Sequence, residues 1–297
     1  MTVLAATDFS ESSRTAVRQA AEIADRRGTE LVLVHAVEAA SGSRTWIYTP
    51  SEVDRMEEEW REAALERLED FYSDLEAPAV SPSEVTLRVQ MGAGDDGVLD
   101  AANAVEADLV VLGATGANRV EDALVGSTPQ TVARRCPEPV LVVPRTGRVG
   151  PYEHVLAPVD FTDCSRESVE RAISIARRDG AELTILHAYH FAVVDSTYLP
   201  TNLPAESIET YEQRVSERLE RLVDSLDLSG VDCSVLRGEG FADEVIVDTV
   251  DEVGADAVVM GTHGRRGLDR LFLGSTATKV LRQMPTTVMT VRRLEED

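Results

Sequence analysis

Lysine is nearly absent from this chain: Lys279 stands alone among 29 basic residues. That absence excludes a Gly-x4-Gly-Lys-Ser/Thr phosphate loop, whose lysine must follow the glycine turn directly. Cysteine is scarce too. Cys136, Cys164 and Cys233 have an odd count and no metal-site spacing, which excludes a zinc site and reads as reduced structural thiols in a cytoplasm. No apolar run approaches the ~18–20 residues that span a bilayer. No basic stretch precedes Asp8, so neither membrane span nor signal peptide is expected. Positive charge is deficient everywhere. Residues 1–148 hold 14 basic and 26 acidic side chains, residues 149–297 hold 15 and 27, and the total is −24. The acidity therefore belongs to the whole surface and not to a tail. It argues against nucleic acid, which needs a basic footprint. It resembles adaptation to concentrated salt, where the Debye length falls to ~3 Å at 1 M and self-repulsion is screened; an ordinary acidic cytosolic surface is the alternative.

What the chain does have is a long internal repeat. Ala5-Ala6-Thr7-Asp8-Phe9-Ser10 is answered by Ala157-Pro158-Val159-Asp160-Phe161-Thr162, and Leu33-Val34-His35-Ala36 by Ile185-Leu186-His187-Ala188, both at an offset of 152. Repeats of ~20–50 residues make solenoids; one this long means duplicated domains. The expected division is 1–147 and 148–297, because Gly and Pro collect and the apolar pattern stops across Arg145–Pro151.

Within each half, short apolar runs alternate with helical patterns. In the first, strands are expected near Val3–Thr7, Leu31–Val37, Val85–Val89, Leu109–Leu112 and Val140–Val143. Ser10 should cap a helix from Glu11 to Arg27 ended by Gly28, and Ser51-x-x-Asp54 should open a long acidic helix. Met56, Trp60, Ala64, Leu68, Phe71 and Leu75 would line its inner face, with Glu57, Glu58 and Glu59 solvated. The second half repeats the order. Strands alternating with helices imply right-handed crossovers and a parallel sheet covered on both faces.

Two glycine-ruled loops carry the chemistry. Gly113-x2-Gly116-x9-Gly126-Ser127-Thr128 recurs as Gly261-x2-Gly264-x9-Gly274-Ser275-Thr276, each after a buried apolar strand. A glycine-rich turn from a strand into a helix suits an oxyanion, because backbone N–H groups approach it closely and the helix start adds more. In an open parallel sheet such loops meet the end of the first strand, where strand order reverses. Asp8 and Asp160 would then accept hydrogen bonds from ribose hydroxyls, and backbone at Ala36 or Ala188 would pair with a base edge. The outline is an adenosine-phosphate site. Asp8 and Asp160 could help place magnesium, although a single carboxylate is a weak metal site. His35 and His187 read as buried, satisfied histidines in preference to catalytic bases. His263 could reach a phosphate or merely fill its turn. No nucleophile–base pair or acidic dyad is visible.

These residues resemble the universal stress protein family in its ATP-binding branch, in a tandem arrangement that covers nearly the whole chain. The segment from Met260 to Ser275 is the closest match to the family's pattern. The resemblance implies an α/β fold of two tandem Rossmann-like, doubly wound domains, each with a five-stranded parallel sheet of order 3-2-1-4-5. It implies an ATP or related adenine-nucleotide site formed by Ala6, Thr7, Asp8, Ala36, Leu112, Gly113, Gly116, Gly126, Ser127 and Thr128. The second set is Pro158, Val159, Asp160, Ala188, Met260, Gly261, Gly264, Arg265, Gly274, Ser275 and Thr276. Family members associate through their last strands, so Val140–Val143 could pair with Val288–Val291 and make the chain a pseudo-dimer, with further homodimerisation open.

The two loops differ. Residues 261–276 hold Arg265, Arg266, Asp269 and Arg270, whereas 113–128 hold Arg119, Glu121 and Asp122. The first loop has Ala117-Asn118-Arg119 where the family has Arg-x-Gly, and Pro129 comes early in the next helix. Charge-assisted hydrogen bonds contribute ~1.5–3 kcal/mol, so the second site is expected to bind about tenfold or more tightly. The leading function is a nucleotide-binding stress or signalling protein with slow or no turnover. A nucleotide-independent interaction module and a slow ATP-cleaving enzyme are the alternatives.

Overall fold

The computed structural model describes residues 1–38, 48–76, 78–116, 125–190, 205–262 and 273–292. The first half runs β1 (Thr2–Ala6), α1 (Glu11–Arg27), β2 (Glu30–Val37), α2 (Pro50–Ser73), a 3-10 turn at Pro82–Glu84, and β3 (Val85–Met91). It continues with α3 (Gly94–Ala104), β4 (Leu109–Gly113), α4 (Ser127–Arg135) and β5 (Val140–Val143). The second half runs β6 (His154–Pro158), α5 (Asp163–Asp179), β7 (Glu182–Tyr189), α6 (Ala205–Asp224) and β8 (Cys233–Glu239). It ends with α7 (Ala242–Val253), β9 (Ala257–Gly261), α8 (Ser275–Gln283) and β10 (Thr287–Val291).

Local chemistry sets the first helix of each half. Ser10 accepts from the Ser13 N–H at the start of α1, and Thr162 accepts from the Ser165 N–H at the start of α5. Gly28 and Gly180 end those helices in the left-handed region (φ 61° and 70°), where a side chain would clash. Arg26–Arg27 and Arg177–Arg178 sit in the last turns, where cations suit the helix dipole. The buried face of α1 is rich in alanine (Ala16, Ala20, Ala21, Ala24), which lets the helix lie close against the sheet.

The ten strands form one sheet in the order β3-β2-β1-β4-β5-β10-β9-β6-β7-β8. Strands within each half are parallel; β5 and β10 meet antiparallel, with Val142 opposite Val288 and Leu141 opposite Met289. Helices α1, α2, α5 and α6 cover one face and α3, α4, α7 and α8 the other. Each of the two resulting hydrophobic clusters contains residues from both halves, so neither core stops at the junction. Each fully buried Leu or Ile within them contributes ~1.5–3 kcal/mol.

Several expectations need correction. The long helix starts at Pro50, not Ser51: Thr49 and Glu52 form the capping box, and Pro50 occupies a first-turn position where its missing N–H costs nothing. Ala64, Leu68, Phe71 and Leu75 are buried as expected, but Met56, Trp60 and Glu57 are half-buried, and Tyr72 is the ring that enters the core. The segment 145–151 is no loose tether. Fully buried Gln19 donates its amide to the Gly150 carbonyl (3.1 Å) and accepts from the Gly150 N–H (2.7 Å). Cys136 and Cys164 are buried thiols and Cys233 a half-buried one.

Charge also holds the halves together. The Asp179 carboxylate, 1% exposed, lies 3.1 Å from Arg26 and 2.7 Å from Arg178 and accepts from the Tyr152 N–H at 3.0 Å. By the offset of 152, Asp179 occupies the place of Arg27, so equivalent positions carry opposite charge. Burial, with Arg178 and Arg171 nearby, pulls the Arg27 guanidinium down to about 10. Removing this buried carboxylate should therefore leave the half-exposed arginines around it with less counter-charge. Asp179→Ala is expected to cost about 1–3 kcal/mol, read as a lower denaturant midpoint; an unchanged midpoint would show that the pair contributes nothing.

Candidate functional site

Two cavities open at the carboxyl ends of the strands, one in each half, where the chain's direction across the sheet reverses between β1 and β4 and between β6 and β9. The first has a volume of about 380 Å³ and the second about 610 Å³. All ten residues expected in the first half line the first cavity: Ala6, Thr7, Asp8, Ala36, Leu112, Gly113, Gly116, Gly126, Ser127 and Thr128. Pro158, Val159, Asp160, Ala188, Met260, Gly261, Gly274, Ser275 and Thr276 line the second. Gly264 and Arg265 lie outside the described residues, as do His263, Arg266, Asp269, Arg270, Ala117, Asn118, Arg119, Glu121 and Asp122.

Each aspartate is set by the turn that follows it. The Ser10 N–H donates to Asp8 Oδ1 at 3.1 Å, and the Thr162 N–H to Asp160 Oδ1 at 3.0 Å. Between them Phe9 and Phe161 take left-handed backbone (φ 66° and 64°), a conformation that costs a non-glycine residue about 1–3 kcal/mol. The rings repay it. Phe9 sits 4.4 Å from the His35 ring and has the Arg67 guanidinium 4.0 Å from its ring centre; Phe161 is matched by His187 at 4.4 Å and Arg218 at 4.7 Å. Aromatic pairs and cation–π contacts each contribute roughly 0.5–2 kcal/mol, enough to hold the turn. This duplicated Arg–Phe–His stack escaped the sequence reading. The equal offset of Phe9 and His35 from Phe161 and His187 was its only signal.

The histidines fix the same turn from below. A backbone carbonyl can only accept, so His35 Nδ1 carries the proton it donates to Thr7 O at 2.8 Å, and His187 Nδ1 does likewise to Val159 O at 2.7 Å. Both rings line their cavities. Neutral His35 therefore presents Nε2 as an acceptor.

The loop glycines divide their labour. A Cβ on Gly113 would fall 2.7 Å from Ser12 C and Ser13 N, and one on Gly261 2.9 Å from Cys164 Sγ. These two glycines admit the start of α1 and α5 against the strand, a packing role the loop pattern did not reveal. Gly116 is different: its Cβ would lie 2.8 Å from Asp8 Oδ2, so this glycine lets the loop reach the carboxylate. Gly126 and Gly274 cap α4 and α8 with no side chain to satisfy the first-turn N–H groups. Their own N–H groups donate to Ala114 O (2.8 Å) and Thr262 O (2.7 Å), aligning each helix start with its cavity. An uncapped helix start facing a carboxylate across a cavity provides donors for an anion and an acceptor for hydroxyls. Among the described residues no group of three or more His, Cys, Asp or Glu side chains is placed to hold a metal ion. No described helix is long and apolar enough to cross a membrane.

A doubly wound α/β protein with such a site in each half belongs to a recognisable class. The sequence profile of the universal stress protein family matches residues 1–144 and again 151–292, and the chain belongs to that family. A universal stress protein of Methanocaldococcus jannaschii is 30% identical over 151 residues, covering 49% of this chain and 85% of its own length. A universal stress protein A homolog of Coxiella burnetii is 28% identical over 143 residues, covering 47% and 96%. The crystal structure of a universal stress protein from Archaeoglobus fulgidus has a TM-score of 0.66 at 19% identity and covers 100% of this chain and 97% of its own. That last likeness is one of fold.

Burial pushes the His35 pKa below its ordinary 6.5, partly offset by its bond to Thr7 O. A histidine depressed in the folded state stabilises the fold above pH 6.5 and withdraws that stability as pH falls through the lowered value. Ring-proton NMR should find His35 titrating below 6.5, with unfolding easier beneath that point; titration at or above 6.5 contradicts this.

Proposed function

We propose that both cavities bind an adenine nucleotide, ATP or a close relative, and that the protein serves stress or signalling through occupancy, with slow or no turnover. The observation that carries this is the repeated pairing of a strand-end carboxylate with an uncapped helix start, Asp8 with Gly126–Thr128 and Asp160 with Gly274–Thr276. Asp8 and Asp160 would accept from ribose hydroxyls. Ala36 and Ala188 would offer backbone to the base edge, and Ala6, Thr7, Leu112, Pro158, Val159 and Met260 would form the walls. Gly116 and Gly264 would admit the sugar and phosphates, Arg265 would add charge, and magnesium would enter with the phosphates. In this reading residues 1–147 and 148–297 are the two binding units, and the protein works in the cytoplasm.

The second site is the tighter one. Pro129 stands third in α4 and has no N–H, so the first cavity meets two first-turn donors; Ala277 at the same place in α8 restores the third. The sequence of the second loop adds Arg265, Arg266 and Arg270. Calorimetry on nucleotide-stripped protein should resolve a strong and a weak ATP site. Asp160→Ala should weaken the strong one and Asp8→Ala the weak one, each about tenfold or more. No heat with any adenine nucleotide, and none copurified by mass spectrometry, would leave an interaction module of the same fold. Phosphate release well above background would instead favour the enzyme.

We also attribute the even acidity, −24 in all, to service in concentrated salt. The melting temperature should climb from dilute to molar potassium chloride as self-repulsion is screened. A flat profile would point to an ordinary acidic protein.

A further inference from the structure

The second cavity exceeds the first by more than half again, 610 against 380 Å³, and differs in what stands at its mouth. Tyr189, His190 and Tyr211 line it. The His190 ring stacks on Phe241 at 4.5 Å and 26°, and Tyr189 lies 6.1 Å from Tyr211, tilted by 52°. The Tyr189 hydroxyl donates to Glu212 at 3.3 Å, which helps fix that ring. Three rings from the end of β7 and from α6 thus line this cavity, and Phe241, which precedes α7, backs the His190 ring.

Among the described residues the first cavity has no such collar. At the offset of 152, Val37 and Glu38 replace Tyr189 and His190; Ala93, which precedes α3, replaces Phe241. When the long helices are aligned on Arg67 and Arg218, Trp60 stands where Tyr211 does, yet it does not line the first cavity. Duplication made the two halves alike, so aromatic residues at all these points in one half alone are a divergence of this site. Their exposure matters as well. Tyr211 is 38% exposed at the cavity, and Phe241, stacked on His190, is 54% exposed; neither ring belongs to a core. Ligand pockets characteristically combine such apolar faces with a few polar groups, and an aromatic face offers a flat heterocycle a stacking partner.

We propose that Tyr189, His190 and Tyr211, with Phe241 stacked on His190, form a recognition subsite for the planar base in the second cavity. The proposal rests on the nucleotide reading of that cavity. It makes the second site base-selective, whereas the described lining of the first offers the base aliphatic walls, backbone and polar groups. Ala188, whose backbone would meet the base edge, is the immediate neighbour of Tyr189, so edge and face recognition fall side by side. The collar gives affinity for a base without adding charge.

The test uses the full chain carrying Asp8→Ala, so that the second site dominates. ATP is compared with ribose 5-triphosphate, which keeps the sugar and phosphates and lacks the base. His190→Ala and Tyr211→Ala should each weaken ATP about tenfold, in line with the stacking contribution of a single ring. Both should leave ribose 5-triphosphate unchanged, and Tyr211→Phe should bind ATP as the parent does. Thermal melts check that the folds match, which the exposure of both rings favours. ATP affinity untouched in both alanine variants overturns the collar while the nucleotide reading stands. Equal weakening of both ligands overturns it too, by showing a general disturbance of the site. A parent chain that takes up no ATP overturns both.

Discussion

The structure turns on one short antiparallel contact. Three residue pairs between β5 and β10, Val140–Thr290, Leu141–Met289 and Val142–Val288, convert two five-stranded parallel sheets into one of ten strands. An unpaired strand presents a row of unsatisfied backbone groups; here each half closes the other's inner edge, and only β3 and β8 remain outermost. Both hydrophobic clusters then run through the junction, so the two repeats share their cores. Because the contact is antiparallel while each half is parallel, the carboxyl ends of the two sets of strands point in opposite directions. The two cavities therefore open at opposite ends of a single sheet, apart from one another yet built on the same layer.

Within that frame each site depends on the bend after the first strand. An aspartate must face the cavity and the chain must reverse at once to begin a helix packed on the same strand. A phenylalanine in left-handed backbone does this in both halves, held by contacts with a histidine and an arginine. The site thus rests on a strained residue stabilised by side chains from two other elements. The two copies keep this support and differ above it: Pro129 against Ala277 at the helix start, and Val37, Glu38 and Ala93 against Tyr189, His190 and Phe241 at the mouth. Conserving the support while varying the rim is a physical route by which one duplicated fold acquires two unlike pockets.

Much of this was legible in the residues. The apolar runs Leu109–Leu112 and Ala257–Met260 are buried strands, Ser10 and Gly28 bound their helix, and the matched loops lie beside matched aspartates. These features are local or periodic, and local chemistry dictates them. What stayed hidden depends on distant partners. Gly113 looks like a loop glycine, but its missing Cβ is demanded by Ser12 and Ser13, a hundred residues away. Phe9 has no propensity for left-handed backbone, and contacts with the distant Arg67, His35 and Phe71 help make that conformation tenable. Gln19 lies on an alanine-rich face and gives no sign that it will bind Gly150. Thr49 was overlooked beside Ser51 because the deciding features, Pro50 and Glu52, serve the cap together.

The charge reversal at Arg27 and Asp179 has a further meaning. If the first half met its own copy along this surface, Arg26 and Arg27 would confront a second Arg26 and Arg27 with no carboxylate between them. The second half meeting itself would gather two aspartates beside its arginines in a different balance. Opposite residues at equivalent positions fit only the mixed pair. The two parts of this chain are complementary along that surface, and the complementarity works against either part pairing with its own copy.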